Sequence, residues 1–421
     1  MMSKHHTLKR ALAGIALGSM LVAPLAACGS DTSGESAADD NTITVWHYYS
    51  VDGQTETLDE LATDFEKTHD GVTVENVYIP QDQIVSKIVN SAGSKTGPDV
   101  IIYGAASTAT LAQANAIVPL DDYWSTFKDA DQFPDAAIQR VDDTIYGVQG
   151  FLNVLGLWYN QDILDEVGAK APTTIDELED AMGKAVDAGY QGITMAGISG
   201  TADSQFQGFP WFSNYGFKYA DPQAEPFVKT FQMLQDWTDK GYLSKEASVW
   251  DQTVPFQNFT AGNVAFCENG NWQITSAKND ANFNYGVVPL PIGEDGGSLL
   301  GGENISIGAF SDNQDLALEY VAQEFWSVDG ELKLLDGFGS IPARADAADN
   351  EKISSDPILS QFARVVSEQG FPSPSPDVPA ENVNQVELLV GQYWSEAIAG
   401  SGTPEDLANS LIEEITPLIK E

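Results

Sequence analysis

The chain has 421 residues, 62 of them acidic and 20 lysine or arginine, for a formal net charge of −42. Phosphate backbones are held by clustered Lys and Arg, so nucleic acid is excluded as a natural partner, and anionic lipid head groups are disfavoured on the same ground. The acidic balance favours solubility through self-repulsion and says nothing positive about a ligand.

In chain order, the first segment is a leader. Lys4, Lys9 and Arg10 precede the apolar run "ALAGIALGSMLVAPLAA" (11–27), which is shorter than the roughly 18–20 residues of a membrane span. The "LAAC" of 25–28 resembles a bacterial lipobox: an aliphatic residue, two small ones and a cysteine. That resemblance implies that 1–27 is a lipoprotein signal peptide and that Cys28 is diacylated as the first mature residue; an ordinary secretory peptide is the alternative. Residues 28–41 hold no large apolar side chain and are expected to form a flexible tether. With Cys28 lipidated, Cys267 in "VAFC" has no partner and reads as a buried structural thiol.

The remaining chain is too long for one ordinary core and suits two domains. "TITVW" (42–46) alternates and is β-branched, a strand signal that turns Trp46 inward. Leu58, Leu61 and Phe65 follow at helical spacing, with Gly71 as a stop. "VTVENVYIP" reads as a strand, "QDQIVSKIVNSAGS" as a helix and "PDVIIYG" as a buried strand. "GVQGFLNVLGLWYNQDILDEVGA" reads as extended chain crossing between lobes before a helix. Pro172-Thr173-Thr174 opens the helix "IDELEDAMGKAVDAGY". Then come the strand "GITMAGIS", the helix "EPFVKTFQMLQDWTDKGYL", and "FTAGNVAFCENGNWQI", a strand followed by a turn at Asn269-Gly270-Asn271. "NYGVVPLPIG", the glycine-rich "GEDGGSLLGGEN", the strand "ISIGAF" and a helical tail complete the chain. This alternation predicts an α/β fold with strands covered by helices, and no fixed-period repeat appears.

Six fragments in order, "ITVWHYYS", "PDVIIYG", "GLWYNQDIL", "FTAGNVAFCENGNW", "YGVVPLPIGEDGG" and "GSIPARAD", resemble the bacterial extracellular solute-binding proteins that include maltose-binding protein. The resemblance implies a periplasmic-binding-protein-like fold of two lobes, each a β-sheet flanked by helices, joined by hinge strands. It sets the first lobe at 42–150 with 305–350 and the second at 151–304 with 351–421. It further implies an extracytoplasmic, membrane-anchored monomer that is not an enzyme. Such a receptor takes a neutral di- or oligosaccharide in the interlobe cleft and hands it to ABC importer permease subunits, with no cofactor, metal or nucleic acid. Ligands in such folds sit outside the carboxyl ends of the strands.

Sugars present apolar C–H faces edged with hydroxyls, so a sugar site needs aromatic platforms and well-placed polar groups. Trp272 follows "NG" at the position where the family stacks on sugar. Tyr48, Tyr49 and Ser50 begin the loop after the first strand, and at least one of the two tyrosines should be structural. Asn153 stands where the maltose-binding relative carries an acidic ligand, which puts the same sugar in doubt. By resemblance Phe206 matches a stacking position, with Gln207 beside it, and Trp250-Asp251 match a cleft loop. Gly302, Glu303 and Asn304 offer close backbone and hydroxyl acceptors, and Ser107 follows "VIIYGAA". Arg344 reads as a structural ion pair. His47 and His69 are too few for a histidine metal cluster.

A secreted glycoside hydrolase or a polysaccharide-binding surface lipoprotein is the alternative. The chain lacks GxxxxGK[ST], HExxH, GxSxG and CxxC, and among so many acids some carboxylate pair always exists. Glycerol phosphate would want Arg or Lys in the cleft segments, and a polyamine would want several convergent carboxylates.

Overall fold

Two β-sheets, each built from distant parts of the chain, organise a computed structural model that describes residues 41–50, 52–294 and 296–419. The expected leader, Cys28 and the expected tether up to residue 40 lie outside the described residues. In chain order the strands are β1 (Thr42–His47), β2 (Thr73–Tyr78), β3 (Val100–Gly104), β4 (Ile138–Val141), β5 (Thr144–Val148), β6 (Phe151–Leu152) and β7 (Leu155–Asn160). They continue with β8 (Gln191–Thr194), β9 (Val264–Gly270), β10 (Tyr285–Val288), β11 (Ser298–Leu300), β12 (Glu303–Ile307), β13 (Ile341–Pro342) and β14 (Gly370–Pro372).

The first sheet has the order β2-β1-β3-β12-β5-β4, with β1, β2 and β3 parallel and β12 entering antiparallel to β3. Along β1, Ile43, Val45 and His47 are 0, 0 and 3% exposed, while Thr42, Thr44 and Trp46 share the other face. A period of two puts Trp46 on the face opposite Val45, where it turns inward as predicted and packs on a separate buried cluster with Ile79, Ile84, Ile101 and Tyr103. It is half-buried, with the Lys87 ammonium 4.8 Å from its ring. The helix Asp52–Thr68 covers the sheet with Leu58, Leu61 and Phe65, all fully buried as their spacing predicts.

The second sheet has the order β10-β7-β9-β8. Its central strand β9 is buried on both faces, as a strand flanked by neighbours and covered by helices must be. Cys267 lies within it, fully buried, its thiol held well above the ordinary range by burial. The helix Ile175–Asp187 begins as its Pro-Thr-Thr opening predicts: Thr174 Oγ1 accepts from the Glu177 N–H at 3.2 Å, and the Thr173 N–H donates to Glu177 Oε2 at 2.8 Å. Arg344 is an ion-pair residue as read, reaching Asp346 at 2.8 Å and Asp129 at 3.3 Å.

Between the sheets the chain crosses repeatedly. β6 pairs antiparallel with β13, and Asn153 and Gly301 exchange backbone hydrogen bonds at 2.9 and 2.8 Å. Gly302, at φ +137°, permits the last crossing, since a β-carbon there would stand 2.6 Å from the Phe151 carbonyl oxygen. One element escaped the sequence pattern. The aromatic-rich "DSQFQGFPWFSN" is a helix, Asp203–Asn214, although it contains Pro210. Proline removes a backbone donor and argues against a helix interior; nine buried residues hold this helix in place.

Candidate functional site

A cleft of about 400 Å³ opens where these crossings meet the ends of both sheets. From the first sheet come Tyr48, Tyr49 and Ser50, directly after β1, and Glu303 at the start of β12. From the other side come Phe206 on the helix Asp203–Asn214 and Trp272 just after β9. Asn153 and Gly302 line it from the crossing segments. The structure thus brings eight sequence-predicted residues into one cavity.

Trp272 sits at a strand-to-helix corner, not at a hairpin turn. β9 runs through Asn269 and Gly270, and Asn271–Gln273 forms a single helical turn leading into the helix Ile274–Asp280. Asn271 holds the corner. Its Oδ1 accepts from the Val154 N–H at 2.7 Å, and its Nδ2 donates to Asn153 Oδ1 at 3.0 Å and to the Gly339 carbonyl at 2.9 Å. The Trp272 ring is half-buried and lies 6.2 Å from the Phe206 ring at 50°. Asn153 Oδ1 also accepts from Ser340 Oγ at 3.2 Å. Its oxygen is therefore committed inside the protein, and its Nδ2 is the atom left to offer.

Opposite, Tyr48 Oη donates to Glu303 Oε1 at 2.8 Å, and the Tyr48 and Tyr49 ring centroids are 5.4 Å apart. Tyr49 packs edge-on against Phe338 at 4.6 Å and is almost fully buried. It combines a structural role with a place in the lining. Burial pushes both phenols well above their ordinary range, and the Glu303 charge adds to it. Glu303 itself is raised by burial, opposed by the Tyr48 hydroxyl.

Two further carboxyls line the cleft. Asp203 is pushed up to about 6, first by burial and then by the negative charge of Asp251. Glu387, on the helix Val383–Ala399, is pushed up to about 8 by burial. Among the described residues, the cleft lining contains no lysine, arginine or histidine. Among the described residues no group of three or more His, Cys, Asp or Glu is arranged to hold a metal ion.

Five predicted residues fall outside the lining. Gln207 is fully buried behind it, its Oε1 accepting from Gln252 Nε2 at 3.3 Å. Asn304 points into the first lobe, donating to Tyr103 Oη at 2.9 Å, because alternation along β12 turns it away from Glu303. Asp251 caps the helix Thr253–Thr260 by accepting from the N–H groups of Thr253 and Val254 at 2.9 and 3.2 Å. Trp250 packs on the second core, its carbonyl taken by the Gly197 and Ile198 N–H groups. Ser107 ends the short turn Ala105–Ser107, whose first two residues, Ala105 and Ala106, line the cleft in its place.

Sequence reading missed Gln54, Gln81, Asp203, Gln205, Gln252, Ser340, Ser373 and Glu387. Three of these share a signal that could have found them. Gln54 lies in the first turn of its helix, and Gln81 and Asp203 are first residues of theirs, the helices that come next after β1, β2 and β8. Helices that follow sheet strands start at the strands' carboxyl ends, where a ligand sits.

Residues 60–361 match the family of bacterial extracellular solute-binding proteins. The chain is 26% identical to the galactooligosaccharide-binding protein of Bacillus subtilis over 94% of both chains. It is 23% identical to the maltotriose-binding protein of Pyrococcus abyssi, over 82% of this chain and 76% of that one. In fold it resembles the GacH receptor of Streptomyces glaucescens, solved unliganded and with acarbose, at a TM-score of 0.78 and 24% identity over 90% of this chain and 98% of that one. Two sheets flanked by helices, joined by crossing strands around an aromatic-walled cleft, are thus the two-lobe fold expected from sequence, and this chain belongs to the bacterial extracellular solute-binding protein family.

Proposed function

We propose that this chain is the receptor of an ABC importer, capturing a di- to oligosaccharide in the cleft and presenting it to the permease subunits. The observation that carries this reading is the pair of facing aromatic walls, Tyr48 with Tyr49 and Phe206 with Trp272, rimmed by amides and hydroxyls such as Gln54, Gln81, Asn153 and Ser340. Flat rings bind the C–H faces of sugars, and the rim satisfies hydroxyls whose burial without a partner would cost about 1–3 kcal/mol each. The galactooligosaccharide- and maltotriose-binding relatives support the sugar class. Other relatives bind sn-glycerol-3-phosphate, but a phosphate wants Arg or Lys donors, and the described cleft lining holds carboxyls and neither of these. A neutral sugar fits this lining, because each carboxyl serves hydroxyls as donor or acceptor without needing a counter-charge.

The two lobes are assigned as 42–150 with 305–350 and 151–304 with 351–421, closing on the ligand about the crossings near Asn153 and Gly301. The family's location is extracytoplasmic, and a lipid on Cys28 would hold the monomer at the membrane. No helix among the described residues is long and apolar enough to cross one. The test is isothermal calorimetry of the purified protein against a panel of di- and trisaccharides that includes maltotriose and galactotriose. Saturable binding without released reducing ends is expected; release of reducing ends would make it a hydrolase, and binding only to glycerol phosphate would overturn the sugar class.

A further inference from the structure

Beside the cleft lies a small side chamber of about 10 Å³. The chamber and the cleft share Gln205, Ser373 and Glu387. Behind these stand Tyr219 and Ser375, and Val383 and Val386 close the apolar side. Gln205 Nε2 donates to Tyr219 Oη at 2.9 Å, which leaves the phenol proton free to point elsewhere. The space holds about one water, and its polar lining supplies the two to four partners that a buried water needs.

Glu387 is 6% exposed, and its Oε2 is buried without a hydrogen-bond partner in the protein. No lysine or arginine pairs with it; among the described residues the ion pairs all involve other carboxylates. A buried carboxyl with neither a cation nor a hydrogen bond costs stability. Such a group at the junction of a ligand cleft and a chamber suited to one water is better explained by what it binds than by what it holds together.

Resting on the sugar-receptor reading, we infer that Glu387 is a ligand-recognition residue where the cleft meets the side chamber, one carboxyl oxygen reaching a hydroxyl of the sugar and the other a water in the side chamber. The sugar ring lies on the Trp272 and Phe206 wall, and a hydroxyl on its edge extends to Glu387, with Gln205 and Ser373 beside it. Burial keeps Glu387 protonated at neutral pH, so it donates a hydrogen bond as well as accepting one. That matches a sugar hydroxyl, which does both. A charged carboxylate could only accept.

Other titrating groups lie in or beside the cleft. Tyr219 is held far above the physiological range by burial and by the Glu387 charge. Asp203 and Glu303 line the same cleft, and Glu268, pushed up to about 8 by burial, lies outside it under Trp211. Ligand binding buries Glu387 further and raises its proton affinity. At about pH 8 the wild type therefore takes up a fraction of a proton on binding.

The experiment is calorimetry with maltotriose and galactotriose on the wild type, Glu387→Gln and Glu387→Ala, at about pH 8 in two buffers of different ionisation enthalpy. Glu387→Gln keeps a donor and an acceptor and is expected to bind within a few-fold of wild type, with a smaller proton uptake. Glu387→Ala is expected to bind at least about tenfold more weakly, while its melting temperature stays at or above the wild-type value. Glu268→Gln, outside the cleft, is expected to leave the proton uptake in place. The inference is overturned if a trisaccharide binds the wild type and Glu387→Ala equally, or if affinity falls only in step with melting temperature. If neither trisaccharide nor any other sugar of the panel binds the wild type, the receptor reading falls and this inference with it.

Discussion

The six-membered ring of Trp272 lies over Gly270, in the space that a β-carbon at that position would fill. Glycine two residues before the indole is what lets the ring fold back along the end of β9 and present a face to the cleft. Gly270→Ala is expected to displace the indole and weaken sugar binding. Trp272→Ala is expected to weaken it by about tenfold or more, a loss near 1.4 kcal/mol, with little change in melting temperature because the ring is only half-buried. Calorimetry on both variants checks this, and an unchanged dissociation constant for Trp272→Ala would remove the residue from the site.

Asn271 ties β9 to two crossing segments through Val154, Asn153 and Gly339. Asn271→Leu would strand the buried Val154 N–H and the Gly339 carbonyl at a cost of about 1–3 kcal/mol for each group. Urea unfolding should show a lowered midpoint. An unchanged midpoint would mean that the corner is held by packing alone.

Gly302 sits at φ +137°, with the Phe151 carbonyl where a side chain would begin. Gly302→Ala should therefore be destabilising, by about 1–3 kcal/mol from backbone strain. It should also disturb the neighbouring Asn153–Gly301 bridge. Thermal melts measure the first effect, and sugar titration of the surviving folded protein measures the second.

Burial raises the proton affinity of several carboxyls in this fold: Asp203 to about 6, Glu268 and Glu387 to about 8, and Glu303, Glu324 and Glu331 in the same direction. The folded protein keeps protons that the unfolded chain has already released. Stability should therefore fall as pH rises from the ordinary carboxylate range, first through about 6 and then through about 8. Self-repulsion in a chain of formal charge −42 acts in the same direction. Melting temperature is expected to be higher at about pH 5 than at about pH 8, with a smaller difference in Glu268→Gln. A melting temperature that climbed over this interval would contradict the assignment.

The strands and amphipathic helices were legible because their patterns are local. Leu58, Leu61 and Phe65 declare a helix face within eight residues, and "VAFC" declares a buried strand within four. The aromatic walls were legible for a related reason, since Trp272, Tyr48 and Phe206 stand beside motifs of recognisable order. Trp46 was legible as an inward residue, but only the register of the whole strand decides which of the two buried faces it joins. Gln207, Asp251 and Asn304 were misread because each adjoins a cleft residue in sequence while its side chain turns to another partner: Gln252, a helix N-terminus and Tyr103.

By itself the sequence determined the α/β class, because period and turn chemistry are properties of neighbouring residues, and the order of its motifs implied the two-lobe plan and an aromatic site. Tertiary structure alone decided which polar groups share the cavity. Gln81, Asp203, Gln252 and Glu387 come from four separate helices, and no local pattern carries the distance between them. Their charge states follow the same logic. A carboxyl becomes a weak acid through burial beside particular neighbours, and burial exists only once the chain has closed around it.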